Sequence, residues 1–410
     1  MNTTYRFRLV GALALAAATA TLTAACTSSS SSSEDAAASA GPTSPAPTGS
    51  AIKIGIISSL SGSQASSSNQ AGTVGPAWAA WVNANGGING HKVEVISEDD
   101  GGDPAKAQAA EKKLVDQDQV LAILVGSDNL VTAYDTDAVN KGVPLVSGTA
   151  NSSDWYKKAG MFPTVTDVVS GLIDQMLVAK QFGHATKFAD LYCSEVAACG
   201  EATKLQQPLA AKIGMNFTSL AVSSTATSYT AQCLQLQQQH VDYAQLNFTT
   251  AAAAKFVEDC QAQNYNPTWG SSEQAIGKDL LDIPDVTLYG PAYAFPSAAD
   301  HPAVATFRDA MKKYAKDDNW KEGTASFAWS GLEVLRKALA HVGPSPTRQT
   351  VTAALNTIKD ENLGGLLSNK ITFTAGKPTA FTSHPCSFVV GIKDGKTQAP
   401  NGLNPVCPSA

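Results

Sequence analysis

Short runs of apolar, β-branched residues alternate with amphipathic segments along most of this chain. Residues 52–57 read Ile-Lys-Ile-Gly-Ile-Ile, a nearly continuous apolar run typical of a strand buried in a parallel sheet. Residues 70–83 place Val74 and Trp78 on one face of a predicted helix. Asn-Gly-Gly at 85–87 ends that helix, because glycine adopts the positive φ of a helix C-terminus. The pattern therefore predicts a strand followed by a helix.

The same alternation extends almost to the C-terminus and is interrupted near Phe162-Pro163. Further strands are predicted at 93–96, 121–125, 143–146, 188–192, 217–222, 243–248, 286–289, 370–373 and 387–392. Further helices are predicted at 104–116, 171–182, 200–212, 229–240, 251–263, 302–316, 324–341 and 347–358. Two runs of strand–helix alternation predict an α/β fold with two doubly wound parallel-sheet lobes joined by a hinge.

Each predicted lobe is built from two separate parts of the chain. The first lobe takes residues 51–165 and about 296–369, and the second takes 166–295 and about 370–410. Ligands of doubly wound sheets bind beyond the C-terminal ends of the strands. We therefore expect a site in the cleft between the lobes, where both sets of strand ends meet.

The N-terminal residues have the pattern of an export signal. Two arginines precede an Ala- and Leu-rich stretch at 9–22, and small residues then lead to Cys26. This order is similar to the signal of bacterial lipoproteins, although Thr23 stands where leucine is usual. We predict a signal peptide at 1–25 and a lipidated Cys26 on the outer face of the bacterial cytoplasmic membrane. A signal cleaved elsewhere and an uncleaved transmembrane helix are the alternatives, and the many Ala and Thr residues disfavour the helix.

A tract rich in Ser, Ala, Thr, Pro and Gly occupies residues 26–50. Such a tract buries too little apolar surface to offset its ordering entropy, so we predict a disordered tether with a span on the order of 25–30 Å. Loss of Arg6 and Arg8 with the signal leaves 27 of the 29 Lys and Arg against 35 Asp and Glu, so the net charge falls from −6 to −8. This acidity disfavours nucleic acid and anionic lipid as partners.

Six cysteines follow Cys26, and an even number in an exported protein indicates disulfides. A metal site is the less favoured interpretation, because the spacing lacks the Cys-x-x-Cys and Cys/His clusters of zinc sites. We predict pairing between neighbours along the chain. The predicted disulfides are Cys193–Cys199, Cys233–Cys260 and Cys386–Cys407.

The chain lacks the motifs of common catalytic and nucleotide sites, including Gly-x-Ser-x-Gly, His-Glu-x-x-His, Gly-x-Gly-x-x-Gly and the phosphate loop. Its six histidines are scattered, mostly beside turn residues. Asp99, Asp100 and Asp103 lack the full alternation of oxygen ligands found in a calcium loop, and Asp103 is well placed to cap a helix that begins at Pro104. We therefore expect no enzymatic activity, no cofactor and no metal site.

Several short pieces of the first predicted lobe occur in the order of a known family. They are residues 52–55 with 60–62, 83–90, 99–104, 120–127 and 143–149. In this order the chain resembles the type I periplasmic binding proteins of the leucine/isoleucine/valine-binding branch, which serve ABC transporters. The resemblance covers most of 52–362 and is strongest before Asn151. It implies a monomeric, two-lobed solute-binding protein whose partner is a membrane permease.

Two loops at predicted strand ends carry groups suited to an amino acid. A helix N-terminus offers unpaired N–H groups and a positive dipole end, which favour a carboxylate. The resemblance implies that these loops hold the α-carboxylate and part of the α-ammonium, and ordinary helix capping is the alternative. The candidate residues are Ser127 and Asp128 in the first loop, and Ser147, Thr149, Ala150 and Asn151 in the second.

Asp128 departs from the resembled family, whose first loop is usually a run of small hydroxyl residues. A carboxylate there repels a ligand carboxylate unless it faces away or pairs with a ligand cation, which argues against a plain aliphatic amino acid. Second-lobe candidates at strand ends are Glu195, Asn247 and Glu273, the last near the family's ammonium-binding glutamate. The candidates for an apolar wall of the cleft, or for plain core packing, are Trp155, Tyr293 and Phe295.

An anchor, a tether and a two-lobed body together predict an extracellular substrate-binding lipoprotein. It would capture an amino acid or a similar small polar solute and deliver it to an ABC permease. A ligand-binding subunit of a sensory system has the same fold and is the first alternative. A secreted hydrolase is the second, and the missing nucleophile and base disfavour it.

Overall fold

The computed structural model describes residues 47–195, 197–380 and 385–408. The predicted signal peptide, Cys26 and most of the predicted tether lie outside these residues. The first strand begins at Gly49, inside the stretch predicted to be disordered, and Gly49 pairs with His91 of the neighbouring strand.

The first lobe is built on a five-stranded parallel sheet of order β2-β1-β3-β4-β5. Strand β1 is almost entirely buried from Ile52 onward because helices cover both faces of the sheet, which explains its apolar run. The strands are β1 (Gly49–Ser58), β2 (His91–Asp99), β3 (Ala122–Val125), β4 (Leu145–Ser147) and β5 (Met161–Phe162).

The second lobe is built on a seven-stranded sheet of order β12-β11-β10-β9-β8-β6-β7. Its strands β6 to β10 are parallel, but β11 and β12 are antiparallel additions at one edge, so the sheet is mixed rather than purely parallel. The strands are β6 (Lys187–Cys193), β7 (Asn216–Val222), β8 (Tyr243–Asn247), β9 (Thr268–Gly270), β10 (Leu288–Ala292), β11 (Phe388–Lys393) and β12 (Lys396–Gln398).

Twelve α-helices lie within the described residues. Helices α2, α10, α11 and α12 share the core of the first sheet, whereas α5 to α9 contribute to cores on the second. The helices are α1 (Ala65–Ser68), α2 (Gln70–Ala84), α3 (Pro104–Lys112), α4 (Asp135–Asn140), α5 (Val168–Gln181), α6 (Ala197–Lys212), α7 (Thr230–Gln238), α8 (Thr250–Gln261), α9 (Lys278–Leu281), α10 (Pro302–Tyr314), α11 (Ala325–Leu339) and α12 (Arg348–Leu355).

The chain crosses between the two sheets three times: between β5 and α5, between β10 and α10, and before β11. The predicted strand at 370–373 does not form, and Ile371 makes only an isolated bridge to Glu361. The side chains of Ile371 and Phe373, two positions apart, are instead buried in the first core. They hold this extended segment against the first lobe. The exact limits of each lobe remain a prediction.

Helix α11 packs directly onto the end of β4 that faces the cleft. A Cβ atom at Gly331 would lie 2.4 Å from Leu124 Cδ1 and 2.9 Å from the Ser147 carbonyl oxygen, so a larger residue does not fit. Trp78 on α2 donates a 2.8 Å hydrogen bond from Nε1 to the carboxylate of Glu333 and so ties α2 to α11. These contacts fix α11 beside the strand ends of the first lobe.

Two disulfides lie within the second lobe and the C-terminal segment. Cys233 and Cys260 join α7 to α8 with Cα atoms 5.0 Å apart, and Cys386 is joined to Cys407. Cys193 is also disulfide-bonded, and its pairing with Cys199 stays a prediction. Within the described residues, no helix has the length and apolarity that a membrane span requires.

Candidate ligand-binding site

Two loops of the first lobe meet at the C-terminal ends of β3 and β4. Gly148 permits this approach, because a Cβ atom there would lie 2.9 Å from the Val125 carbonyl oxygen and 3.4 Å from the Cα atom of Gly126. The amide of Gly148 donates a 2.7 Å hydrogen bond to the carbonyl of Val125. The two loops predicted from the sequence are therefore adjacent.

Asp128 joins these loops through its side chain. Its carboxylate accepts hydrogen bonds from Thr149 Oγ1 at 2.9 Å, Asn151 Nδ2 at 3.0 Å, the Ser152 amide at 2.8 Å and Trp155 Nε1 at 3.1 Å. All four donors are neutral, and Asp128 is only 3% exposed. The carboxylate that the sequence offered as a ligand contact is thus bonded within the first lobe, where it orders the second loop.

The other first-lobe candidates differ in their burial and in the hydrogen bonds that they make within the protein. Ser147 is fully buried, and its Oγ accepts from the Thr164 amide at 2.9 Å while its carbonyl accepts from Thr164 Oγ1 at 2.8 Å. Ser127 and Ala150 are buried beside Asp128. Asn151 is exposed and reaches the second lobe, with Nδ2 3.5 Å from Gln274 Oε1.

Glu273 lies on the second lobe at the boundary between the two lobes. It opens a short 3₁₀ helix after β9, and one oxygen accepts a 2.6 Å hydrogen bond from Ser326 Oγ on α11 of the first lobe. Its other oxygen, Oε2, has no hydrogen-bond partner among the described residues. Burial raises the pKa of Glu273 well above its ordinary range, and the Ser326 bond only partly opposes this. With Ser326 and Trp320 it lines a cavity of about 10 Å³, space for about one water molecule.

Asn247 ends β8, and its side chain is bonded within the second lobe. Nδ2 donates to Asp190 Oδ1 at 2.5 Å, and Oδ1 accepts from Gln175 Nε2 on α5 at 3.0 Å. Burial raises the pKa of Asp190 to about 7, and the hydrogen bond from Asn247 opposes that rise. Asn247 therefore belongs to a buried polar network between the sheet and α5.

Glu195 is exposed beyond the end of β6. Its Oε1 accepts from Ser223 Oγ at 2.6 Å and from the Ser224 amide at 2.8 Å, which ties this loop to the end of β7. The Ser223 hydrogen bond is the main cause that lowers the pKa of Glu195. Among the described residues, Glu195 thus shares no hydrogen-bond partner with Asp128 or Glu273, and it is bonded to the loop after β7.

The three aromatic candidates are buried. Trp155 donates to Asp128, and Phe295 packs on Phe307 in the first core with ring centroids 5.1 Å apart. Tyr293 follows β10 and is 7% exposed. Core packing, which the sequence left as an alternative, accounts for Trp155 and Phe295.

Further contacts between the lobes involve residues that the sequence did not single out. The Gly323 amide donates to the Ile276 carbonyl at 2.7 Å, and the Lys278 amide donates to the Glu322 carboxylate at 2.8 Å. Ser67 Oγ in α1 lies 3.1 Å from Thr250 Oγ1 at the start of α8. Together with the Glu273–Ser326 bond, these contacts describe a closed arrangement of the two lobes.

Comparison with known proteins identifies the family. The family model for periplasmic binding proteins matches residues 51–396. The chain is a periplasmic binding protein.

Solved structures of this kind share the fold at low identity. A branched-chain amino acid ABC transporter protein from Thermus thermophilus with bound valine superposes with a TM-score of 0.71 at 14% identity, over 87% of this chain and 96% of that one. A substrate-binding periplasmic protein from Ralstonia solanacearum gives a TM-score of 0.69 at 22% identity, over 88% of this chain and 100% of that one.

A curated relative is similar over a shorter region. An amino acid binding protein from Pseudomonas aeruginosa is 36% identical over 73 residues, which is 18% of this chain and 20% of that protein. The match thus spans a fifth of the relative's length.

The acidic turn after β2 serves the fold of this periplasmic binding protein. Asp103 accepts hydrogen bonds from the amides of Ala105 and Lys106 and caps α3, as predicted. Asp99 and Asp100 accept from neighbouring amides and serine hydroxyls. Within the part of the chain that the structure describes, no group of three or more His, Cys, Asp or Glu residues is arranged to hold a metal ion.

Proposed function

We propose that this periplasmic binding protein captures an amino acid or a similar small polar solute between its lobes and delivers it to an ABC permease. The observation that carries the proposal is Glu273, a buried carboxylate with one unpaired oxygen at the boundary of two lobes held in contact. An unpaired acceptor in that place suits the ammonium group of a solute. Structures of related fold were solved with bound valine and isoleucine, which supports the same ligand class.

We assign ligand contact to Ser127, Thr149, Ala150 and Asn151 on the first lobe and to Glu273 on the second. Asp128 and Ser147 position the first-lobe loops through the hydrogen bonds described above, whereas Asn247 and Glu195 are bonded within the second lobe. Capture requires no bond to be made or broken, so the proposed protein is not an enzyme. Opening and closing would instead follow the ligand, since the closed form buries it and the open form releases it.

We further propose that Cys26 carries the lipid that retains the protein at the outer face of the cytoplasmic membrane. The supporting observation is the order of arginines, apolar stretch and small residues before Cys26. Cys26→Ser should release the protein into the medium or periplasm, and mass spectrometry of the wild-type N-terminus should find a diacylated cysteine. An unmodified cysteine in the membrane fraction would refute the anchor.

The ligand proposal is tested by thermal unfolding of the purified protein with single amino acids, amides, polyamines and small carboxylates. A solute present at 100 times its Kd should add about 2.7 kcal/mol to the free energy of unfolding. Glu273→Gln should weaken binding of an amino acid by about tenfold or more, while Glu195→Gln, at an exposed site, should not. Uptake of the bound solute into cells with and without the protein separates transport from sensing.

A further inference from the structure

Helix α5 of the second lobe carries a buried carboxylate that the fold does not satisfy. Asp174 is 0% exposed, and neither carboxylate oxygen has a hydrogen-bond partner among the described residues. Burial is the main cause that raises its pKa to about 8, and the negative charge of Asp167 adds to the rise. A buried acid without a partner is costly for the fold, so its presence calls for an explanation in function.

Helix α5 meets Tyr293 one turn before Asp174. Tyr293 follows β10, and a Cβ atom at Gly171 on α5 would lie 2.9 Å from the Tyr293 hydroxyl, so that hydroxyl rests against the first turn of α5. Burial raises the pKa of Tyr293, and the charges of Asp174, Asp167 and Glu273 raise it further. Tyr293 thus rests on the turn of α5 that precedes Asp174, and the charges of both Asp174 and Glu273 act on its pKa.

Most unpaired polar atoms of this region can only accept hydrogen bonds. Besides both oxygens of Asp174, they are Oε2 of Glu273 and the amide oxygens of Gln206 and Gln245, while the unpaired hydroxyl of Thr166, just before α5, both donates and accepts. Gln206 belongs to the network beside α5, since its Nε2 lies 3.4 Å from Gln175 Oε1. Among the described residues, the charges that act on Asp174 and Tyr293 are all negative. A partner for this region must supply N–H donors and positive charge.

We propose that the ligand carries a cationic nitrogen group, an amine, amidine or guanidine, and that Asp174 beside Tyr293 is its counter-charge. This inference rests on the proposed function and narrows its substrate class. Arrival of the cation ionises the neutral Asp174 carboxyl, and its proton passes to the solvent.

The test compares pairs of probes that have nearly the same shape but differ by one charge. Arginine is compared with citrulline, and lysine with norleucine, by titration calorimetry at pH 7. The cationic member of at least one pair should bind at least tenfold more tightly than its neutral partner. Its apparent binding enthalpy should also differ between Tris and phosphate buffers, because a proton is released on binding.

Asp174→Asn should abolish both the preference for the cationic probe and the proton release. Glu111→Gln is the matched control, since Glu111 is a buried acid on the first lobe whose pKa burial also raises, to about 7. That control should keep the preference. The comparison of probes on the wild-type protein remains decisive even where a variant folds poorly.

Three outcomes overturn the inference. In the first, the neutral member of each pair binds as tightly as the cationic one. In the second, Asp174→Asn keeps the preference for the cationic probe, and in the third, none of the four probes binds. Binding of a neutral or anionic solute in the wider thermal panel would then leave the proposed function standing. Failure of the whole panel would remove the proposed function as well.

Discussion

At the scale of single residues, three buried acids show how surroundings decide the state of one functional group. Asp128 accepts hydrogen bonds from four donors, Glu273 accepts one from Ser326, and Asp174 accepts none among the described residues. Hydrogen bonds to a carboxylate favour its charged form, whereas burial without them favours the neutral form. Asp128 therefore serves the architecture of its loops, while Asp174 remains available to a partner.

Asp128→Ala should lower the free energy of unfolding by about 2–4 kcal/mol, because several buried donors lose their acceptor at once. Urea unfolding measures the change. The neighbouring residue Asn129 is exposed, so Asn129→Ala should stay within about 0.5 kcal/mol of the wild type. Equal losses in the two variants would show that Asp128 does not hold the loops together.

Asp174→Asn should stabilise the protein, and increasingly so as the pH rises. The folded-state pKa of about 8 exceeds the ordinary value of 3.8, so the folded wild type keeps a proton that the unfolded chain gives up. Wild-type stability should therefore fall between about pH 4 and pH 8, by an amount on the order of 5 kcal/mol, and the asparagine variant should lack this fall. Urea unfolding at pH 5 and pH 8 measures it, with the exposed Asp300→Asn as control. A stability difference that does not change with pH would contradict the assignment.

At the scale of elements, apolar periodicity predicted most strands and helices within a few residues, because burial on both faces leaves a clear signal. It predicted β11 at 387–392 but missed β12 and the hairpin that joins them, although Asp394-Gly395 between the two strands is a turn pair with positive φ at both residues. The burial of Asp174 was also not predicted, since a polar residue in a predicted helix is normally assigned to the exposed face. The signal available was its position within the apolar run Leu-Ile-Asp-Gln-Met-Leu of α5.

The sequence predicted which loops form the candidate site. It did not predict which hydrogen bonds the side chains of those loops make. Loops at strand ends follow from the alternation, so residues 126–129 and 147–151 were found. The partners of Asp128 lie more than 20 residues away, and Ser326, the partner of Glu273, lies on the other lobe. Such pairings depend on the angle at which elements pack, which a single sequence does not encode in any local pattern.

The disulfide between α7 and α8 should contribute roughly 3–4 kcal/mol, because it closes a loop of 27 residues in the unfolded chain. We expect the double variant Cys233→Ala/Cys260→Ala to lose about this much in urea unfolding. Leu234→Ser on the same helix alters a side chain that is 40% exposed and should have little effect. A double variant as stable as the wild type would mean that the bridge does not constrain the unfolded chain.

At the scale of the whole molecule, a small set of polar contacts holds the lobes together. Ser67 with Thr250, Gly323 with Ile276 and Ser326 with Glu273 bridge the two lobes. Each contributes about 1 kcal/mol, which suits an equilibrium that a ligand is able to shift.

Ser67→Ala should favour the open form and weaken ligand binding by about two- to tenfold, since one contact of the closed form is lost. X-ray scattering of the ligand-free protein should show a larger radius of gyration. Thr225→Ala removes an exposed hydroxyl at the end of β7 and is the control. An unchanged radius together with unchanged affinity would mean that this contact does not bias closure.

The place where the described chain enters the fold decides which contacts of the fold bear a force applied at the N-terminal side. The chain enters at the N-terminal end of β1, a strand flanked by β2 and β3, whereas the candidate loops lie at the C-terminal ends of the strands. A force applied at the N-terminal end of β1 therefore acts along the strand. It loads in shear the hydrogen bonds that join β1 to β2 and β3.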